Sequence, residues 1–306
     1  MSKKLLFIFN PLSGKAQIKN KLLDIIQVFI GSGYSVEVYP TQKQYEATEI
    51  IYKRCKSFDK IVVSGGDGTL NECINGILKI DYEERPVIGY IPTGTANDFA
   101  SNLKISKNMI KAADIAINGN PFQCDIGNFA NKNFLYVAAF GAFTDVAYDT
   151  PQQNKNYLGH LAYLMEGIKK FSNLKSHKLK INSNECCCEG EYIFGMASNT
   201  NYVAGLKTDL KLDTSLNDGL FEVFLIKKPS NILDIQMIVS EIMTQNFSDE
   251  RFCLFKTKKV EFEFDDEVPW TLDGEYGGKH KKIDITLDTR AVTFSSGIWF
   301  FKALLW

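Results

Sequence analysis

The chain has 306 residues, 45% of them hydrophobic and 23% charged, with a formal net charge of −1. This is the composition of a globular protein long enough for two domains, and it argues against a general nucleic-acid binder, which would carry a marked positive excess. The seven cysteines include neither a CxxC pair nor a nearby histidine, so their spacing marks no zinc site.

Their odd number fits a reducing compartment, and the run Cys186-Cys187-Cys188 is expected on a strand or turn. The apolar stretch before Asn10-Pro11 is too short for a secretory signal. No uncharged apolar run approaches the ~18 residues of a membrane-spanning helix. The expectation is a cytoplasmic protein, soluble or at most peripheral.

In chain order, residues 5–9 form a continuous apolar run, as a buried parallel strand does. They end in the polar turn Asn10-Pro11-Leu12-Ser13-Gly14-Lys15, whose spacing is not that of a P-loop. Residues 18–30 have helical spacing, 34–39 read as a second strand and 45–55 as a helix. Residues 61–63 then lead into Ser64-Gly65-Gly66-Asp67-Gly68-Thr69, and a helical pattern continues to Ile80. Three glycines let the backbone take φ > 0 and approach a ligand closely. The helix start behind them offers N–H groups and the positive end of a dipole, which suits phosphate. Asp67 stands where it could reach a metal or a ribose. Residues 87–91 form a fourth strand running into Pro92-Thr93-Gly94-Thr95-Ala96-Asn97-Asp98, a second glycine-threonine turn that opens a helix. This alternation predicts an α/β domain with a parallel, doubly wound sheet. Right-handed crossovers bring its turns to one edge, where open α/β sheets bind ligands.

Near Asp125-Ile126-Gly127 the pattern changes. Strand-like runs follow at 134–143, 178–181, 191–197, 220–226, 260–264, 283–287 and 292–294, interrupted by helical stretches at 158–171 and 232–245. The expected organisation is therefore a nucleotide-binding α/β domain over 1–127 and a mostly antiparallel, β-rich domain over 128–296. The aromatic tail 297–306 would pack back on the first domain. In the helix at 157–171, Leu158, Leu161, Ala162, Leu164, Met165 and Ile168 recur at helical spacing, which reads as core packing; lining a lipid cleft is the alternative. The three histidines show no pairing.

Taken together, Gly65-Gly66-Asp67-Gly68-Thr69, Gly94-Thr95-Ala96-Asn97-Asp98-Phe99, Asn10-Pro11 with Gly14-Lys15, Asn217-Asp218-Gly219 and Leu272-Asp273-Gly274-Glu275 resemble the bacterial diacylglycerol-kinase-like lipid kinases. Sphingosine and ceramide kinases share that catalytic family. The resemblance runs from residue 10 to about 290. It implies ATP held between two domains and a lipid substrate reached at the membrane surface. By resemblance, Asn10, Thr41, Gly65, Gly66, Asp67, Gly68, Thr69, Leu70, Asn71 and Thr95 contact ATP. Glu275 matches the general base, and Asp67, Asp98 and Asp125 the acids around the phosphates and the catalytic Mg2+. Ser215, Asp218 and Leu220 match a second, structural Mg2+ site. Two departures stand out: Ala204-Gly205-Leu206 replaces consecutive glycines, and Asn217 stands where a second aspartate is common.

The chemistry is consistent with these residue types. Phosphoryl transfer asks for charge neutralisation and in-line positioning, and a carboxylate can take the proton of an attacking hydroxyl. The implied partners are a lipid acceptor and a membrane surface contacted peripherally at its inner face, with no nucleic acid; an edge strand could also pair two copies into a homodimer. Two other readings stay open at this stage. A kinase of NAD would share the Gly65–Thr69 turn, and a catalytically silent module could bind nucleotide or lipid without turnover.

Overall fold

The computed structural model describes residues 3–14, 16–94, 97–142, 175–200, 202–203, 206–207, 216–244 and 246–298. The helical stretch at 157–171, most of the tail, Thr95 and Ser215 lie outside the described residues. The chain divides into two compact units. The first comprises Met1–Cys124 with Arg290–Trp306, and the second comprises Asp125–Thr289.

The first unit carries β1 (Lys3–Phe9), α1 (Leu22–Gly31), β2 (Tyr34–Pro40), α2 (Glu46–Arg54), β3 (Lys60–Gly65), α3 (Asp67–Ile77), β4 (Ile88–Pro92), α4 (Asp98–Asn102) and α5 (Met109–Asn118). β1 pairs in parallel with both β2 and β3, and β3 pairs in parallel with β4. The order is therefore β4-β3-β1-β2. β3 and β4 are buried along their whole length and β1 along its last five residues, which is why they read as unbroken apolar runs rather than alternating ones. Against this sheet α1 packs with α5, and α2 with α3.

In the second unit lie the second half of β5 (Asn120–Phe129), β6 (Lys132–Phe134), β7 (Val137–Gly141), β8 (His177–Asn182), β9 (Cys187–Ser198), the short ribbon β10 (Tyr202–Val203) and β11 (Leu206–Lys207), β12 (Phe221–Lys227), α6 (Ile232–Thr244), β13 (Phe252–Thr257), β14 (Lys259–Leu272) and most of β15 (Glu275–Ser296). Its pairings are antiparallel, in the order β13-β12-β9-β7-β14-β15, with β8 against both β9 and β14. Strict alternation in β8, where every second residue is buried, marks a sheet with one face on a core. That core centres on Trp270, fully buried, with Phe140 4.8 Å and Phe262 5.3 Å from it between ring centroids.

Several details differ from the sequence reading. It contains no counterpart of α5, β5, β6, the β10–β11 ribbon or β13. The separate runs at 283–287 and 292–294 belong to one strand, β15; no glycine or proline stands between them, and Arg290 there has φ 51. The division between units falls inside that strand, so Arg290–Ser296 sits with the α/β unit rather than with the β-rich half.

Candidate functional site

In the first unit, the turns after β1, β3 and β4 interlock. A Cβ built on Gly94 would stand 2.6 Å from the Gly66 Cα, and one on Gly14, at φ +56, would collide with the Thr93 carbonyl oxygen. Only glycine permits three backbones to come this close. Backbone bonds tie the turns together: Asn10 N–H donates to Ser64 O at 2.9 Å, and Thr93 N–H to Gly65 O at 2.9 Å. The buried hydroxyl of Tyr90 donates to Gly65 O at 3.1 Å; burial, with Asp67 nearby, keeps that phenol neutral by raising its pKa well above the usual value. Asn10 Nδ2 reaches Thr69 Oγ1 at 3.4 Å, and Thr41 N–H donates to Phe9 O at 2.9 Å. Thus the structure brings Asn10 and Gly65 to Asn71 together, with Thr41 at the end of the neighbouring strand.

α3 begins at Asp67 with Gly66 as its N-cap and no side chain capping it. Its first turn is therefore left to a ligand or to water. The buried hydroxyls of Ser64 and Thr93, each directly before a cradle glycine, have no hydrogen-bond partner among the described residues. A backbone cradle that a methyl group would fill, an uncapped helix start and two waiting hydroxyls fit the phosphates of a nucleotide.

Asn97 is the residue that sequence reasoning left without a role. Held at φ 56, it accepts from Gly94 N–H with Oδ1 at 2.9 Å, donates to Gly94 O with Nδ2 at 2.7 Å, and donates its own N–H to Asp67 Oδ2 at 3.1 Å. It thereby fixes the second glycine turn and orients the Asp67 carboxylate. An asparagine three residues after a turn glycine is the signal that could have found it. Asp98 is the first residue of α4.

The second unit holds Glu275, Asp125 and the Asp218 loop. Glu275 is exposed and opens β15 directly after Asp273-Gly274. Both turn residues have positive φ, 50 and 84, as a two-residue hairpin of type I′ requires. The tip is anchored by Asp273, whose Oδ2 accepts from Leu135 N–H at 2.7 Å and whose Oδ1 accepts from Tyr136 and Val137 N–H at 3.0 and 3.1 Å. Asp273 lies inside the Leu272-Asp273-Gly274-Glu275 motif, and its partners lie more than 130 residues away in sequence.

Asp125 is fully buried. Its N–H donates to Leu216 O at 2.7 Å, its Oδ2 accepts from Gly219 N–H at 2.7 Å, and its carbonyl accepts from Asn199 Nδ2 at 2.9 Å. It fastens the loop that carries Asp218 and Leu220. Asp218 Oδ1 accepts from Leu220 N–H at 3.1 Å, and Oδ2 faces Lys256 Nζ at 3.3 Å. Burial works against the Lys256 charge, but Glu222 and Asp218 outweigh it and hold the ammonium above its ordinary pKa. In this arrangement the Asp218 carboxylate already faces a cation, so a metal there would have to displace Lys256.

Fold and turns together define an α/β protein with an anion cradle at the C-terminal ends of parallel strands, continued into an antiparallel β unit. A family model, the diacylglycerol kinase catalytic domain, matches residues 4–129 and so covers all three cradle turns. Diacylglycerol kinase from Bacillus subtilis (strain 168) is 34% identical over 278 residues, 90% of this chain and 91% of that protein. Diacylglycerol kinase from Staphylococcus carnosus (strain TM300) is 32% identical over 282 residues, 91% of this chain and 90% of that one. Among solved structures, a candidate diacylglycerol kinase from Bacillus anthracis str. Sterne superposes with a TM-score of 0.81 at 26% identity, covering 96% of this chain and 95% of the other. The chain belongs to the diacylglycerol kinase family and is a lipid kinase.

Proposed function

We propose that this lipid kinase uses ATP and Mg2+ and that its acceptor is the hydroxyl of diacylglycerol or a closely related lipid. The observation that carries the reading is the mutual approach of Gly66 and Gly94 at the uncapped start of α3, a surface made of backbone and suited to phosphate oxygens. When bound, ATP supplies the phosphoryl group and magnesium neutralises the charge that spreads over it during transfer.

The chain's own residues divide the remaining work. Asn10, Thr41, Gly65 to Asn71 and Thr95 hold the nucleotide. Asp67, steadied by the Asn97 amide, acts with Asp98 and Asp125 as the acidic set near the phosphates and the catalytic ion. Ser215, Asp218 and Leu220 hold the second ion, with Lys256 displaced from the Asp218 carboxylate. Glu275 takes the proton of the acceptor hydroxyl as oxygen bonds to phosphorus, a role generally worth about 10²–10⁴-fold in rate. Its exposure leaves it reachable by substrate, while the Asp273 anchor restrains the backbone that bears it. Among the described residues no helix is long and apolar enough to cross a membrane, and in this reading the enzyme meets a bilayer-held acceptor peripherally.

The test is transfer of labelled γ-phosphate from ATP, with Mg2+, into a panel of lipids in mixed micelles. Label is expected in diacylglycerol and should fall by about 10²–10⁴-fold in Glu275→Gln, with thermal unfolding unchanged because the side chain is exposed. A folded protein that labels no lipid refutes the proposal. Label at the normal rate in Glu275→Gln removes that residue as the base.

A further inference from the structure

Away from the residues above, the second unit brings three thiols together. Cys186 sits in the turn before β9, Cys188 lies on β9, and Cys253 lies on β13. The Cys253 sulfur is 3.9 Å from that of Cys186 and 4.0 Å from that of Cys188, and all three lie within 4.8 Å of one another. We propose that Cys186, Cys188 and Cys253 form a tris-thiolate site for a thiophilic d10 cation of the zinc class.

The spacing decides between the simple alternatives. A cation bound by three thiolates at ~2.3 Å holds their sulfurs about 3.8–4.0 Å apart, from tetrahedral to planar. Two of the three separations already meet that range, and the third closes with less than about 1 Å of side-chain movement. A disulfide needs its sulfurs at ~2.05 Å, so either Cys253 pair would have to move together by roughly half its separation. Two of the three thiols stand on strands and the third in a hydrogen-bonded turn. Cys188 faces Ile181 in the β8–β9 ladder, and Cys253 faces Leu225 in the β12–β13 ladder. The turn bearing Cys186 is closed by Ser183, which donates N–H and Oγ to Cys186 O at 2.9 and 3.1 Å and accepts Cys186 N–H with Oγ at 2.8 Å.

The surroundings suit anionic sulfur. Hydrogen bonds from Cys253, Tyr192 and Cys186, with the Lys227 charge nearby, outweigh partial burial and draw the Cys188 thiol down to about 6. The Tyr192 hydroxyl lies 3.5 Å from the Cys188 sulfur. Cys186 and Cys253 are pushed up, Cys186 chiefly by burial and Cys253 chiefly by its bond to Cys188. Metal uptake requires all three as thiolates and so releases protons. All three residues are partly exposed, so an ion can enter and water or an added ligand can fill its fourth position. Binding would tie β13, which among the described residues pairs only with β12, to the turn that starts β9. Metal binding, unlike a structural disulfide, also agrees with a reducing compartment.

The experiment uses the full chain, reduced, freed of metal and titrated with Co2+ and Zn2+ in the absence of nucleotide, so its outcome is independent of the kinase reading. One equivalent of Co2+ should give thiolate-to-cobalt charge transfer with the visible bands of a tetrahedral ion, and Zn2+ should displace it. Cys253→Ser and Cys188→Ser should weaken binding by more than about 100-fold, while Cys187→Ser, whose exposed sulfur donates to Ser183 O, should bind normally. In the unmutated chain, Zn2+ should protect Cys186, Cys188 and Cys253 from alkylation and leave Cys187 reactive. This measurement holds even where a variant fails to fold. No charge-transfer band in the reduced protein, equal affinity in Cys253→Ser, or alkylation of all four cysteines unchanged by Zn2+ would each overturn the proposal.

Discussion

Removing the Asp273 carboxylate tests how the Glu275 hairpin is held. In the native chain it accepts three amide N–H groups, from Leu135, Tyr136 and Val137. Hydrogen bonds to a charged group contribute about 1.5–3 kcal/mol each. Asp273 is half-buried, so water recovers part of this in the variant, and about 3 kcal/mol for all three is the working figure. Alanine at φ 50 adds about 1 kcal/mol of left-handed strain, for a total near 4 kcal/mol. Asparagine tolerates that conformation and can still accept from Tyr136 and Val137 through one carbonyl oxygen, so Asp273→Asn should lose only about 1–2 kcal/mol. Urea unfolding of the three proteins measures both values. With Glu275 as base, kcat of folded Asp273→Ala should fall while KM for ATP stays within a factor of about two, because the hairpin carries none of the cradle. An alanine variant within about 1 kcal/mol of the parent, with unchanged kcat, would refute the anchoring argument.

In Gly94→Ala the new methyl meets Gly66 Cα at 2.6 Å and Asn97 Oδ1 at 2.9 Å; ATP affinity measured by calorimetry should drop at least tenfold, about 1.4 kcal/mol, and unaltered binding would exclude the cradle as the phosphate site. Asp125→Asn separates anchoring from catalysis: the amide oxygen can still accept from Gly219 N–H, so thermal stability should change little while kcat falls if the charge serves the phosphates, and equal kcat would confine Asp125 to holding the loop. Lys60 is buried with its ammonium on Ser295 Oγ at 2.6 Å, and desolvation lowers its pKa from 10.5 to about 8. A lysine whose folded pKa lies below its unfolded value is destabilising below about pH 8, and stability recovers as pH rises from 8 towards 10.5. Lys60→Met should therefore be more stable at pH 7 by about 1–2 kcal/mol after the lost Ser295 bond is allowed for, an advantage that shrinks by pH 9.5 in urea unfolding; a difference independent of pH would refute the assignment.

β1, β3 and β4 were legible because burial on both faces leaves unbroken apolar runs, β2 through its alternation, and each ends in a polar turn. α5 was not, since its buried positions are Ala112, Ala113 and Ala116, too small to stand out as an apolar stripe. Its start was written at Asn108, whose side chain accepts from the amides of Ile110 and Lys111, a cap of the usual kind. β13 escaped notice for a different reason: it is an edge strand, four of its six residues are only partly buried, and its apolar run, Phe252 to Phe255, is only four residues long.

For the site, the residue types were readable and their supports were not. Glycine turns declare themselves locally, because the need for φ > 0 or close approach is a property of a few adjacent residues. Asn97 and Asp273 act through amides that are remote in sequence or hidden in a turn, and no periodicity connects them to Asp67 or Glu275. The thiols carry the same lesson further. Cys186 and Cys188 are separated by one residue, as strand neighbours on one face are, yet spacing rules for metal sites look for a second pair nearby. The third sulfur comes from a strand 65 residues later, reached only because β9 runs from the β8 hairpin into the ladder with β12, which in turn pairs with β13. A ligand set assembled by sheet order has no linear signature, so such sites are found by measuring distances between sulfurs and not by counting residues between cysteines.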